Sequence, residues 1–151
     1  MINENVQLND HYHVKGGVLT SYALDFPFDI GNEDWCRPAV IVVPGGAYRF
    51  VSRREGEPVA AEFLARGFQA FVLDYLVNPD GVFYPEEMLE LACAVDYVRK
   101  NAAHYNVNPD EIFAVGFSAG GHLVGSLSTN YRLAQEEYGD AIDPRLTAAG
   151  L

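Results

Sequence analysis

Ser118 is the residue whose type and setting most plainly suit it for chemistry. It sits in Gly116-Phe117-Ser118-Ala119-Gly120, a G-x-S-x-G pattern. An apolar β-type run at 112–115 precedes the pattern, and a helix-compatible segment at 121–130 follows it. Strand, sharp turn and helix in that order form the setting in which a serine hydroxyl stands at the apex of a strained turn above a sheet. Gly116 and Gly120 would let the neighbouring strand and helix backbones pass close by. The same turn aims the first helical N–H groups, that of Ala119 foremost, at the point where negative charge develops in acyl transfer. A nucleophilic serine also needs a base, and the base needs a carboxylate to orient it.

The elements around this turn alternate in type. Residues 14–25 read as a strand after a Gly16-Gly17 turn, and Phe26-Pro-Phe-Asp and Gly31-Asn-Glu-Asp as connectors. Ala39-Val-Ile-Val-Val43 is apolar without alternation, the pattern of a strand covered on both faces. A helix over 57–66 follows, with Pro58 in its first turn and Gly67 past its end. Residues 68–73 read as a second buried strand, and 77–84 as a long loop. A helix opened by Pro85, Glu86 and Glu87 carries Met88, Leu91, Val95 and Val98 at helical spacing. Residues 106–110 read as a turn before the serine's strand. This alternation predicts one α/β domain over 1–151, a mostly parallel sheet with helices on both faces.

Composition excludes several function classes. The 151 residues are 49% hydrophobic and 21% charged, ordinary values for a globular domain. A net charge of −11 argues against nucleic acid and anionic membrane surfaces as partners. The first ten residues have neither a basic nor an apolar signal region, and Cys36 and Cys93 form no C-x-x-C pair. A cytoplasmic location and idle thiols are the expectation, with a disulfide left open. No phosphate-loop or dinucleotide glycine motif is present, no His/Cys/Asp cluster has metal-ligand spacing, and no cofactor is expected.

Pro44-Gly45-Gly46-Ala47-Tyr48, then Ser52-Arg53-Arg54-Glu55-Gly56-Glu57-Pro58-Val59-Ala60, then Gly116-Phe-Ser-Ala-Gly-Gly-His-Leu123 resemble the α/β-hydrolase superfamily. More narrowly they resemble its small bacterial esterase/lipase branch, which groups with acetyl esterases, acetylxylan esterases and feruloyl-esterase-like proteins. The resemblance covers about residues 40–129. It implies that the N–H groups of Gly45 and Gly46 join that of Ala119 in an oxyanion hole, in a loop where Pro44 replaces the histidine of related esterases. It implies a serine carboxylic-ester hydrolase acting on small acyl or carbohydrate esters, with Tyr48 placed to line the pocket. A serine peptidase and a non-catalytic binding protein of the same fold remain alternatives.

The resemblance also places the catalytic acid and histidine after the serine in sequence. Downstream of Ser118 stand His122, Glu136, Glu137, Asp140 and Asp143. His122 opens the helix behind the turn, where related proteins carry a histidine beside a separate catalytic one, and it reads as structural. The four acids read as solvated surface after that helix. His11, His13 and His104 precede the serine, as does Asp74 at a strand end. None is assigned to the triad. Residues 145–151 read as the opening of a further strand, so the missing partners are expected in a C-terminal part beyond it. The 151 residues alone are then expected to be inactive, with self-association through an uncovered sheet edge.

Overall fold

The computed structural model describes residues 1–25 and 34–151. The connectors read at 26–33 lie outside the described residues. The described elements are β1 (Asn5–Gln7), β2 (Val18–Tyr22), β3 (Arg37–Val43), α1 (Glu57–Ala65), β4 (Gln69–Asp74), α2 (Glu86–Lys100), β5 (Val107–Gly116), α3 (Ala119–Tyr138) and β6 (Ala148–Gly150). They build one six-stranded sheet in the order β1-β2-β4-β3-β5-β6. Strands β4, β3, β5 and β6 run parallel, while β1 and β2 are added antiparallel at one side. The α/β class read from the sequence is the observed one.

The unbroken apolar run of β3 has the cause expected of it. Ala39, Ile41 and Val43 face α2 and α3, packing with Met88, Leu91, Val95, Leu123 and Leu127. Val40 and Val42 face the other way, onto Ala60 of α1 and Ala70 of β4. Alternate residues of a strand point to opposite faces, so only a strand with a layer on each side is apolar at every position. Four fully buried aliphatic side chains, Val40 through Val43, each contribute about 1.5–3 kcal/mol of transfer free energy. The two layers are unequal. The α2/α3 side holds most of the buried side chains, whereas Phe113, Val115 and Phe117 on the α1 side are only half-buried.

Three boundaries differ from the sequence reading. The strand carrying the serine begins at Val107 rather than near 112, because Val107 pairs with Arg37 and Ile112 with Ala39. The expected turn survives as an irregularity inside the strand, held by the Asn108 side chain accepting from the Asp110 N–H at 3.1 Å. Helix α3 starts at Ala119 and runs to Tyr138, with a kink at Asn130 where the sequence suggested its end. Beyond the kink, half-buried Tyr131 and Tyr138 and buried Ala134 continue an apolar stripe, which keeps the chain helical. Glu136 and Glu137 are therefore on the exposed face of a helix instead of beyond one.

Asp143 is the second correction to the acidic segment. Its carboxylate takes bonds from Arg145, and the neighbouring Arg99 donates to the carbonyls of Asp143 and Arg145. These cations hold the Asp143 carboxyl down to about 2. Asp96 on α2, almost fully buried, accepts from the Asp143 N–H at 2.8 Å and from Tyr12 at 2.8 Å. The cluster fastens the segment leading into β6. Strand β6 pairs with β5, and all three of its residues are exposed. Cys36 and Cys93 are both free thiols, the first exposed and the second buried. No helix among the described residues is long and apolar enough to cross a membrane.

Candidate active site

Strand β5 ends at Gly116, and the chain reverses into α3 within two residues. Ser118 takes φ 53° and ψ −116°, a left-handed conformation that L-residues rarely adopt. The Phe117 N–H donates to Val43 O at 3.1 Å, tying the turn to the end of β3. A Cβ on Gly120 would lie 2.0 Å from Val43 O, and one on Gly116 would lie 2.3 Å from Gly120 O. Both positions therefore demand glycine, for the close backbone approach the sequence suggested. Ser118 is exposed at the apex, and Ala119 begins the helix directly beneath it.

The diglycine loop after β3 comes up against this turn. A Cβ on Gly45 would sit 3.0 Å from Ser118 Cβ and 2.7 Å from Phe117 O. Gly46, Ala47 and Tyr48 all have positive φ, at 142°, 53° and 59°. This coil folds back on itself, with the N–H groups of Arg49 and Phe50 donating to Gly46 O. Among the described residues, the N–H groups of Gly46, Ala47 and Ala119 have no acceptor. Gly45 differs from expectation. Its N–H already donates to Glu55 Oε2 at 2.8 Å, so it is not free for a substrate oxygen. The N–H groups without an acceptor in this loop are those of the next two residues, Gly46 and Ala47. Glu55 stands in the motif at 52–60, and an acid just before the glycine that opens a helix is its only sequence signal.

Tyr48 lies beside the site with its hydroxyl engaged. The oxygen is 2.6 Å from His122 Nδ1 and 3.3 Å from Ala119 O. Its ring is half-buried edge-on to Tyr75, and burial, then Glu87 and Tyr84, push its phenol up to about 12. Tyr48 thus joins the diglycine loop to the first turn of α3, and it is not among the residues that line the cleft over Ser118. His122 is the partner in that bridge, also packed against the Tyr84 ring at 5.2 Å.

An open cleft of about 500 Å³ lies over Ser118, lined also by Gly121, His122, Gly125, Ser126 and Leu151. No side chain among the described residues hydrogen-bonds Ser118 Oγ. Two of the other histidines are occupied elsewhere. His104 meets Glu4 at 3.1 Å, and His11 packs on Tyr97. Asp74 ends β4 in a separate groove with Arg53, Ser52 and Glu57, where burial raises its carboxyl and Arg53 opposes the rise. Among the described residues no group of three or more His, Cys, Asp or Glu could hold a metal ion.

Helix α2 supplies two acids that the sequence reading did not single out as buried. Glu90 is 1% exposed, accepts the Leu76 N–H at 2.9 Å, and is pushed up by burial to about 7. Glu87 is expected only as one of two acids that open the helix. It is fully buried, with neither carboxylate oxygen partnered among the described residues, and burial raises its pKa. Glu86, its neighbour, is on the surface and pairs with Lys15 at 2.9 Å.

Comparison with known proteins places this geometry. The family model described as BD-FAE matches residues 25–143. The acetylxylan esterase of Xylanibacter ruminicola is 34% identical over 92 residues, covering 60% of this chain and 19% of that protein. MGS-M1, an α/β hydrolase from a Medee basin deep-sea metagenome library, is 39% identical with a TM-score of 0.75 over 85% of this chain and 51% of its own. The carboxylesterase Cest-2923 from Lactobacillus plantarum WCFS1 is 29% identical with a TM-score of 0.86, over 99% of this chain and 55% of its own. This chain therefore spans about half the length of those two solved structures and about a fifth of the curated relative.

Proposed function

We propose that this chain, which belongs to the BD-FAE family within the α/β hydrolases, is the nucleophile-bearing part of a serine carboxylic-ester hydrolase. The observation that carries the reading is the meeting of two loops. Ser118 stands at φ 53° on a strand-to-helix turn, with Gly45 of the second loop so near that a Cβ there would lie 3.0 Å from Ser118 Cβ. In this reading Ser118 Oγ attacks the ester carbonyl carbon while a base takes the hydroxyl proton. The N–H groups of Ala119 and Gly46, with Ala47 beside them, receive the negative oxygen of the tetrahedral intermediate. The base returns its proton to the departing alcohol, leaving an acyl group on Ser118. Water activated by the same base then releases the acid.

The described residues supply the nucleophile and the donors without a base on Ser118. The catalytic acid and histidine belong in this proposal to a C-terminal part beyond residue 151, and the 151 residues alone are inactive. Small acyl or carbohydrate esters are the proposed substrates, a class supported by the resemblance to an acetylxylan esterase. Labelling by a fluorophosphonate tests the reading, in this chain and in a polypeptide extended beyond residue 151. Ser118 should be the labelled residue, and Ser118→Ala should remove the label. A folded, extended polypeptide that stays unlabelled at Ser118 refutes it.

A further inference from the structure

The diglycine loop is held at its base by four contacts. Buried Tyr75 donates its hydroxyl to Pro44 O at 2.8 Å, and the Asn78 N–H donates to Tyr48 O at 2.8 Å. The other two contacts close on Gly45. Its carbonyl accepts the Ser52 N–H at 2.9 Å, and its N–H donates to Glu55 Oε2 at 2.8 Å. The tight turn at Arg53–Glu55 brings the acid round, and the Glu55 N–H in turn donates to Ser52 O at 3.1 Å. Of the four acceptors, Glu55 is the one that is a side chain, so it alone can be removed while every backbone acceptor stays. Its carboxylate oxygen also lies 3.0 Å from where a Gly45 Cβ would be, in the same small space that holds Ser118 Cβ.

We infer that Glu55 is a positioning residue: its carboxylate fixes Gly45, and through Gly45 sets where the next N–H groups, those of Gly46 and Ala47, face the oxygen above Ser118. The inference rests on the reading of Ser118 as nucleophile for its catalytic consequence, and on the Gly45 contact alone for its structural one. The physical logic is that an oxyanion donor works only at a fixed distance, and misplacement of about 1 Å costs on the order of 10²-fold in rate. A buried Gly45 N–H without its carboxylate acceptor would seek another partner and carry the three positive-φ residues with it.

Two variants separate positioning from a general loss of fold. Glu55→Ala removes the acceptor, while Glu55→Gln keeps a carbonyl oxygen in the same place. The first readout is amide hydrogen exchange by NMR on the 151-residue chain. Glu55→Ala should speed exchange at Gly45 at least about tenfold and shift the resonances of residues 45–50, with the unfolding midpoint little changed, whereas Glu55→Gln should leave Gly45 protected. Unchanged Gly45 exchange in Glu55→Ala overturns the inference, as does a change spread over the whole chain. The second readout is ester hydrolysis by the extended polypeptide. Glu55→Ala should lower kcat about 10²-fold with KM within about threefold, and Glu55→Gln should recover most of the loss. A loss carried by KM alone overturns the catalytic consequence. Absence of hydrolysis in the wild type counts against the esterase reading, and the exchange result still decides the role of Glu55.

Discussion

Folding stability should fall as pH rises from about 4.5 to about 7, and Glu90 is the reason. This carboxyl is 1% exposed on α2, with Glu86, Glu87 and Asp80 as its charged neighbours and the Leu76 N–H as its donor. Burial raises it from its ordinary 4.5 to about 7. Between those two values the folded chain holds a proton that the unfolded chain has released. The folded state therefore binds more protons, and stability declines with increasing pH. A gap of about 2.5 pH units at 1.36 kcal/mol each gives an upper figure of about 3 kcal/mol, fully present below pH 4.5 and lost by pH 7. The buried carboxyl of Glu87 adds to the same trend, since its pKa is also raised. Asp143 acts with opposite sign in a separate window. Its carboxyl is lowered from 3.8 to about 2, so its contribution is present above 3.8 and disappears as pH falls toward 2. The assay is urea unfolding followed by circular dichroism at pH 5, 6, 7 and 8, on the wild type and on Glu90→Gln. The amide keeps an oxygen for Leu76 but cannot titrate. The difference between the two proteins isolates Glu90 from the general repulsion of a chain with net charge −11. If the wild type is flat or gains stability from pH 5 to 7, or if Glu90→Gln keeps the full slope, the reasoning fails.

Four further outcomes are expected. Ser118→Gly relieves a φ of 53° and should raise the unfolding free energy by about 1 kcal/mol while abolishing fluorophosphonate labelling; Gly120→Ala, whose Cβ would meet Val43 O at 2.0 Å, should lower it by about 3 kcal/mol in the same denaturation assay. Glu87→Met should stabilise the chain by about 1–3 kcal/mol and flatten its pH profile, because it replaces a buried carboxylate that has no partner among the described residues. The exposed β6 edge should let the 151-residue chain self-associate, read by sedimentation velocity, and Ala149→Lys should shift it toward monomer.

What the sequence made legible was local. The run at 39–43 carries its two-sided burial in every residue, and the glycines around Ser118 announce a turn that few other residues could form. What it hid depended on contacts between distant segments. Glu87 and Glu86 look alike as neighbours at a helix start, yet one is buried and the other pairs with Lys15. Which of the two turns inward is decided by the rotation of α2 against the sheet, and two adjacent acids do not encode that rotation. Gly45 and Glu55 are ten residues apart, and only the tight turn at Arg53–Glu55 brings the carboxylate back to the N–H. Tyr48 and His122 are 74 residues apart, so no spacing rule could show that the phenol would meet the imidazole.

The unequal layers bear on how well Ser118 is held. On the α2/α3 side of β5, Ile112 and Ala114 are buried against a large core, and α3 begins directly from the serine's turn. On the α1 side, Phe113, Val115 and Phe117 flank a core of four buried residues and are only half covered themselves. A strand end is fixed by what packs on it, so the height of Ser118 above the sheet is set mainly from one side. The diglycine loop contributes the opposing constraint, because Phe117 donates to Val43 and Gly45 abuts Phe117 O from the far strand. Ser118 is thus held mainly from the α2/α3 core, and in the proposed reading the diglycine loop braces it from the other side. In the proposed reading, Glu55 acts at the base of that loop on the donors, through Gly45.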